Sequence, residues 1–183
     1  MHAQKGLSFV ETIATTVVLG TLVAIAAPSF SMMLREMKAT SATNHVVAVL
    51  QQARIAAITR GRRITLCRSV DGRSCTDTGN WAAGAVMFVD DRPNGRLDAG
   101  EAVLTRLDSV DFANLFIEEV GRRRVISFRP DGSTAGTNIT LAVCDASRRT
   151  LRLVVVSLHG RIRSSRDASA QPECPGARTG RQT

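Results

Sequence analysis

Residues 12–34 contain no charged side chain and consist mostly of Val, Leu, Ile, Ala and Thr. As an α-helix rising 1.5 Å per residue, such a run is long enough to cross the roughly 30 Å hydrocarbon core of a bilayer. The only lysine ahead of it is Lys5, in the short leader 1–6, and a basic residue there stays on the cytoplasmic side. The expectation is therefore a single-pass membrane anchor with a head on the far side. One residue conflicts with the run's apolar character: Glu11 stands just inside it. A carboxylate in lipid costs about 2.5–3.5 kcal/mol on insertion scales, so Glu11 requires a partner.

An ordinary secretory signal would place Lys5 in the basic region and Ala24-Ile25-Ala26 at the cleavage site. Glu11 at the mouth of the apolar segment argues against it, and so does the helical pattern that continues beyond. From Arg35 onward the apolar residues become periodic, with Val46, Leu50, Ala53 and Ala57 on one face and Gln51, Arg54 and Arg60 off it. One helix is expected from near Leu7 to near Gly61, bent at Pro28, where a backbone donor is missing, and terminated by Gly61.

Beyond Gly61 the pattern is that of strands: 64–67, 85–89, 102–105, 110–117, 125–128, 139–143 and 151–158. Alternation is plain in Ile139, Leu141, Val143 and in Leu151, Leu153, Val155, as for strands with one buried face. The fold class is α+β, with an antiparallel head on a helical spine. Residues 159–183 lack apolar periodicity and are rich in Arg, Ser, Gly and Pro, which reads as a basic tail. Domain boundaries follow: 1–6 leader, 7–34 anchor, 35–61 amphipathic helix, 62–158 head and 159–183 tail.

Cys67, Cys75, Cys144 and Cys174 form no C-x-x-C pair, so disulfides are expected in place of a zinc or redox site. Of the three possible pairings, Cys67 with Cys75 and Cys144 with Cys174 closes the shortest loops.

The leader residues Lys5-Gly6-Leu7-Ser8-Phe9-Val10-Glu11 resemble a type IV prepilin cleavage site, with Pro28 where pilin helices commonly carry a proline. Leu7 departs from the usual phenylalanine or methionine. The resemblance implies that a prepilin peptidase cuts after Gly6 and methylates the Leu7 amine. It also implies that Glu11 pairs with the new amine of a neighbouring subunit, making assembly the step that neutralises it. Residues 81–101 look like the strand and loop shared by minor pilins and pseudopilins of the GspH and FimT class. Partners implied are other major and minor pilins, the peptidase and the inner membrane before assembly; the head would be periplasmic, then extracellular in a pilus.

Charge narrows the function further. Net charge is +8, and all 24 basic residues except Lys5 and Lys38 are arginine. The guanidinium fork suits phosphate, although a GC-rich genome enriches arginine equally well, so only clustering is informative. Arg122, Arg123 and Arg124 read as a solvated turn, and Arg60, Arg62 and Arg63 as cations at a helix end. Arg148, Arg149, Arg152, Arg161, Arg163 and Arg166, with no acidic residue from 148 to 166, form a candidate anion surface.

Within that surface Gly160-Arg161-Ile162-Arg163 resembles the Gly-Arg-x-Arg motif of DNA-binding FimT-like pilins. By that resemblance Arg161 and Arg163 meet successive phosphates of double-stranded DNA, Gly160 lets the backbone approach, and the arginine tail supports DNA uptake. No Trp, Tyr or Phe follows Phe128, so base stacking is not expected and binding is sequence-independent. The alternative is a structural minor pilin or a type II secretion pseudopilin that primes a filament without binding DNA.

No catalytic role is expected: His2, His45 and His159 are scattered, and no nucleophile elbow or phosphate loop is present. Ser157 and His159 share a strand face but lack a positioned acid. Asp90, Asn94, Gly95, Asp98 and Glu101 have the spacing of a calcium loop, yet Arg92 occupies a ligand position, so an Asn94-Gly95 hairpin turn is preferred and no metal or cofactor is expected.

Overall fold

The computed structural model describes residues 8–77, 79–109, 115–121, 123–136, 138–147, 149–166 and 174. The chain forms two compact units, Met1–Lys38 and Ala39–Thr183. The first is the apolar part of helix α1 (Phe9–Arg60), a helix long and apolar enough to cross a membrane. Its large apolar side chains, among them Val17, Leu19, Leu22 and Ile25, are exposed around the helix, as suits a segment whose solvent is lipid.

In the second unit the remainder of α1 buries Ala39, Ala42, Val46, Leu50, Ala53 and Ala57, a stripe at three- and four-residue steps. The helix stops at Gly61, whose φ of +61° lets the Arg62 amide donate to the Ala57 carbonyl (3.3 Å) and the Gly61 amide to that of Ile58 (3.3 Å). Both bonds satisfy carbonyls that a helix end leaves unpaired.

Eight strands follow: β1 (Ile64–Arg68), β2 (Ala85–Val89), β3 (Val103–Leu107), β4 (Phe116–Glu119), β5 (Val125–Phe128), β6 (Ile139–Cys144), β7 (Thr150–Val156) and β8 (Ile162–Ser165). They form two antiparallel sheets, ordered β3-β2-β1-β5 and β4-β6-β7-β8. The inner faces of both sheets and the helix stripe share one core, containing Leu50, Leu66, Met87, Ile117, Ile126, Phe128, Leu141 and Val154. The outer faces carry smaller apolar clusters, each held by a disulfide. Cys67–Cys75 fastens a loop over Val86 and Phe88, while Cys144–Cys174 seats Cys174 against Ala142 and Leu153. The local pairing is thus the one present. Within the first loop Asp71 accepts bonds from the Arg73 and Ser74 amides and the Ser74 and Ser69 hydroxyls, which hold its carboxyl well below the ordinary carboxylate range.

Two expectations change. The tail does not begin at residue 159, because Ile162–Ser165 adds an edge strand to the second sheet. That strand carries a single apolar residue, too few for periodicity to register. The β2–β3 connection is not a two-residue turn at Asn94-Gly95 either. It is a longer loop gathered around Glu101, whose carboxylate accepts the amides of Asp91 (3.0 Å), Arg92 (3.3 Å) and Asp98 (2.9 Å).

Candidate nucleic-acid interface

The β7–β8 hairpin carries the predicted motif. Its turn is closed by the Gly160 amide donating to the Ser157 carbonyl (2.8 Å), the Ser157 amide to the Arg161 carbonyl (2.9 Å) and the Arg161 amide to Ser157 Oγ (3.1 Å). Along β8 side chains alternate, so Ile162 turns inward beside Val156 and packs on the core. Arg161 and Arg163 then share the outward side and are exposed, as is Arg166 at the strand's end. Among the described residues Arg161 and Arg163 have no acidic partner, whereas Arg92, Arg124 and Arg149 pair with Asp98, Asp77 and Asp145.

Two other residues of the predicted surface behave differently. Arg152 is 6% exposed and faces the helix, its Nη2 donating to Thr40 Oγ1 at 2.9 Å. It shares the inward parity of Val154 and Val156 and is removed from the interface. Arg149 is exposed but committed: its Nε and Nη2 lie 3.2 and 3.1 Å from Asp145 Oδ2, and its amide donates to Oδ1. Burial opposes ionisation of Asp145, yet the Arg149 amide, guanidinium bond and charge outweigh it and hold the carboxyl below its ordinary value. Arg148 lies outside the described residues, as do Gly6 and Leu7.

Gly160 also has a different task from the one its motif implies. It is buried, with φ +75°, and a Cβ there would collide with the Gly132 carbonyl and stand 2.8 Å from Arg54 Nε. Its bareness admits a neighbouring loop of the same chain, so it supports the turn rather than a ligand.

The neighbourhood of Gly160 contains residues that sequence reasoning passed over. Arg54 Nε donates to the Gly132 carbonyl at 3.0 Å, and its Nη2 stands 3.5 Å from the His159 carbonyl. Thr134, fully buried, bridges to Phe128 and donates its amide to the Leu158 carbonyl at 2.9 Å. The available signal was Asp131-Gly132, a turn dipeptide, but nothing in it names the helix as its contact. The tail anchor is on the same sheet: Cys174 packs beside Leu153, which pairs with Ser165 as Val155 pairs with Arg163. Cys174 therefore sits on the face from which Arg163 projects.

Glu11 lies exposed in the first turn of α1, and Pro28 lies within that helix. Asp90 is buried and accepts Thr65 Oγ1 (2.8 Å) and the Gly95 amide (3.3 Å), while Asp98 accepts Asn94 Nδ2 (2.8 Å). With Glu101 filled by backbone amides, the carboxylates of this loop are turned to separate partners. Among the described residues no three His, Cys, Asp or Glu side chains stand together as a metal site.

Residues 42–160, which run from within the helical spine through strands β1 to β7 to the Gly160 turn, match the family described as type II transport protein GspH. The chain belongs to the GspH family. Among solved structures, this GspH-family chain resembles the type IV minor pilin FimU of Pseudomonas aeruginosa in two crystal forms. Identity is 25% in both; the TM-score is 0.55 over 74% of this chain and 98% of the other in one. In the second form it is 0.56 over 74% and 93%. A more distant likeness, 14% identical with a TM-score of 0.47 over 70% and 97%, is to the minor pseudopilin EpsH of the Vibrio cholerae type 2 secretion system. No curated protein matches the chain. The long helix packed on antiparallel sheets is the type IV pilin-like fold, as expected.

Proposed function

We propose that this GspH-family protein is a minor pilin that binds double-stranded DNA without sequence preference and supports DNA uptake and pilus assembly. The observation carrying the reading is that Arg161 and Arg163 project side by side from an exposed edge strand without acidic partners among the described residues. Alternate residues of a strand lie about 6.6 Å apart, so two forked cations in a row suit a phosphodiester backbone. With Arg152 buried and Arg149 paired with Asp145, the contact centres on Arg161 and Arg163, with Arg148 and Arg166 the further arginines of the predicted surface. The chain acts by binding and assembly, not catalysis. A prepilin peptidase processes it between Gly6 and Leu7, its apolar helix holds it in the inner membrane with the head periplasmic, and other pilins receive it into an extracellular filament.

The test is duplex affinity of the full chain in detergent, measured by anisotropy at several salt concentrations. Changing Arg161 and Arg163 together to glutamine is expected to weaken binding. It should also make the slope of log affinity against log salt shallower by about 1.8, the counterions of two phosphates. An unchanged affinity and slope would reject the reading. A second reading, a pseudopilin that primes a secretion filament without DNA, is favoured by the type II transport description of the matching family. Copurification with pilus or with secretion subunits distinguishes the two.

A further inference from the structure

Three elements meet beneath the Arg161 turn. From the helix comes Arg54, held to the Gly132 carbonyl and near that of His159. From the β5–β6 connection comes Gly132, with φ +76°, where a Cβ would stand 2.7 Å from Ile58 Cδ1 and 3.1 Å from Arg54 Nε. From the β7–β8 turn comes Gly160, stacked on the Gly132 carbonyl. Thr134 ties the same two turns together through the Leu158 carbonyl, and Asn138 Oδ1 accepts the Leu158 amide at 2.8 Å.

We propose that Arg54 is a positioning residue for DNA binding: as a clamp from the helix to both turns, it fixes the direction in which Arg161 and Arg163 leave the head. The inference rests on the DNA-binding reading. Its physical basis is the shape of guanidinium. A planar fork reaches two carbonyls from one stem in a fixed relation, which an ammonium of equal charge cannot reproduce. Thr134 and Asn138 hold this hairpin end at Leu158, and Arg54 adds a contact at the His159 carbonyl; two arginines that must meet successive phosphates lose affinity when their common orientation wanders. Because Arg54 sits on the helix that runs on toward the anchor, the clamp also ties the binding edge to the filament spine.

The experiment compares the wild-type full chain in detergent with Arg54→Lys, Arg161→Gln/Arg163→Gln and the triple variant. Duplex affinity is read in each, and amide hydrogen exchange across 129–134 and 157–163 is read in parallel. Arg54→Lys keeps the charge, so a mere electrostatic contribution predicts no change. The clamp predicts an affinity loss of about fivefold, an order set by the coupling energies of residues in contact. It also predicts faster exchange confined to the two turns, and little further loss when Arg54→Lys is added to the glutamine pair. Wild-type affinity in Arg54→Lys would overturn the clamp while leaving the DNA reading intact, and so would a full fivefold loss in the triple variant relative to the glutamine pair. Failure of the wild-type chain to bind duplex would overturn both, with the exchange data still reporting whether Arg54 holds the turns.

Discussion

Arg152 and Arg163, on the adjacent strands β7 and β8, project from opposite faces of one sheet: the first donates to Thr40 Oγ1 inside, and the second stands exposed beside Val155. Their even and odd positions separate a residue that holds the fold from one that meets a ligand. Arg152→Gln is therefore expected to lower stability by about 1.5–3 kcal/mol, the range for hydrogen bonds made by a charged group. Arg163→Gln should stay within about 0.5 kcal/mol of wild type. Urea unfolding followed by circular dichroism measures both, and equal effects would contradict the assignment of faces.

Gly160→Ala tests whether that glycine serves the turn. Positive φ alone costs a residue with a Cβ about 1–2 kcal/mol, and Gly100, with φ +91° and no atom within 4 Å of its absent Cβ, provides that reference. At Gly160 the Gly132 carbonyl and Arg54 stand in the way as well, so Gly160→Ala should lower the melting temperature clearly more than Gly100→Ala. Similar shifts would mean that the turns are not pressed together.

The two disulfides differ in what they close. Cys144 and Cys174 are 30 residues apart and Cys67 and Cys75 only 8, which the chain-entropy relation converts to about 3.6 and about 2.5 kcal/mol. Replacing Cys144 and Cys174 by alanine should therefore destabilise the head more than replacing the other pair. Native protein should take up almost no thiol label, and four reactive thiols would refute both bridges.

Glu11 is exposed in the first turn of a helix otherwise suited to lipid. Glu11→Ala removes a carboxylate costing about 2.5–3.5 kcal/mol in hydrocarbon, so membrane insertion should be unchanged or improved. On the pairing that the prepilin resemblance implies, incorporation into filaments should fall, because the Leu7 amine of a neighbouring subunit would lose its counterpart. Sheared filament fractions quantify the variant, and wild-type incorporation would remove the assembly role.

Sequence by itself determined the elements whose cause is local. The charge-free run at 12–34, the stripe of Val46, Leu50, Ala53 and Ala57, the stop at Gly61 and the alternation in β6 and β7 are each written in neighbouring residues. Helix and strand periodicity depend only on spacing. The side-by-side projection of Arg161 and Arg163 was legible for the same reason. Tertiary structure alone decided the rest. Strand β8 exists because β7 offers it an edge, and one apolar residue, Ile162, suffices once that edge is present. Arg54 stood outside the apolar stripe of its helix, and only the approach of Gly132 gave it a partner 78 residues away. Arg152 lay in a stretch, 148–166, with six arginines and no acidic residue, and the helix claimed it through Thr40. A hydrogen bond between distant segments leaves no periodic trace in either of them, so the division of these arginines between interior and surface became visible only when the sheets and the helix were packed together.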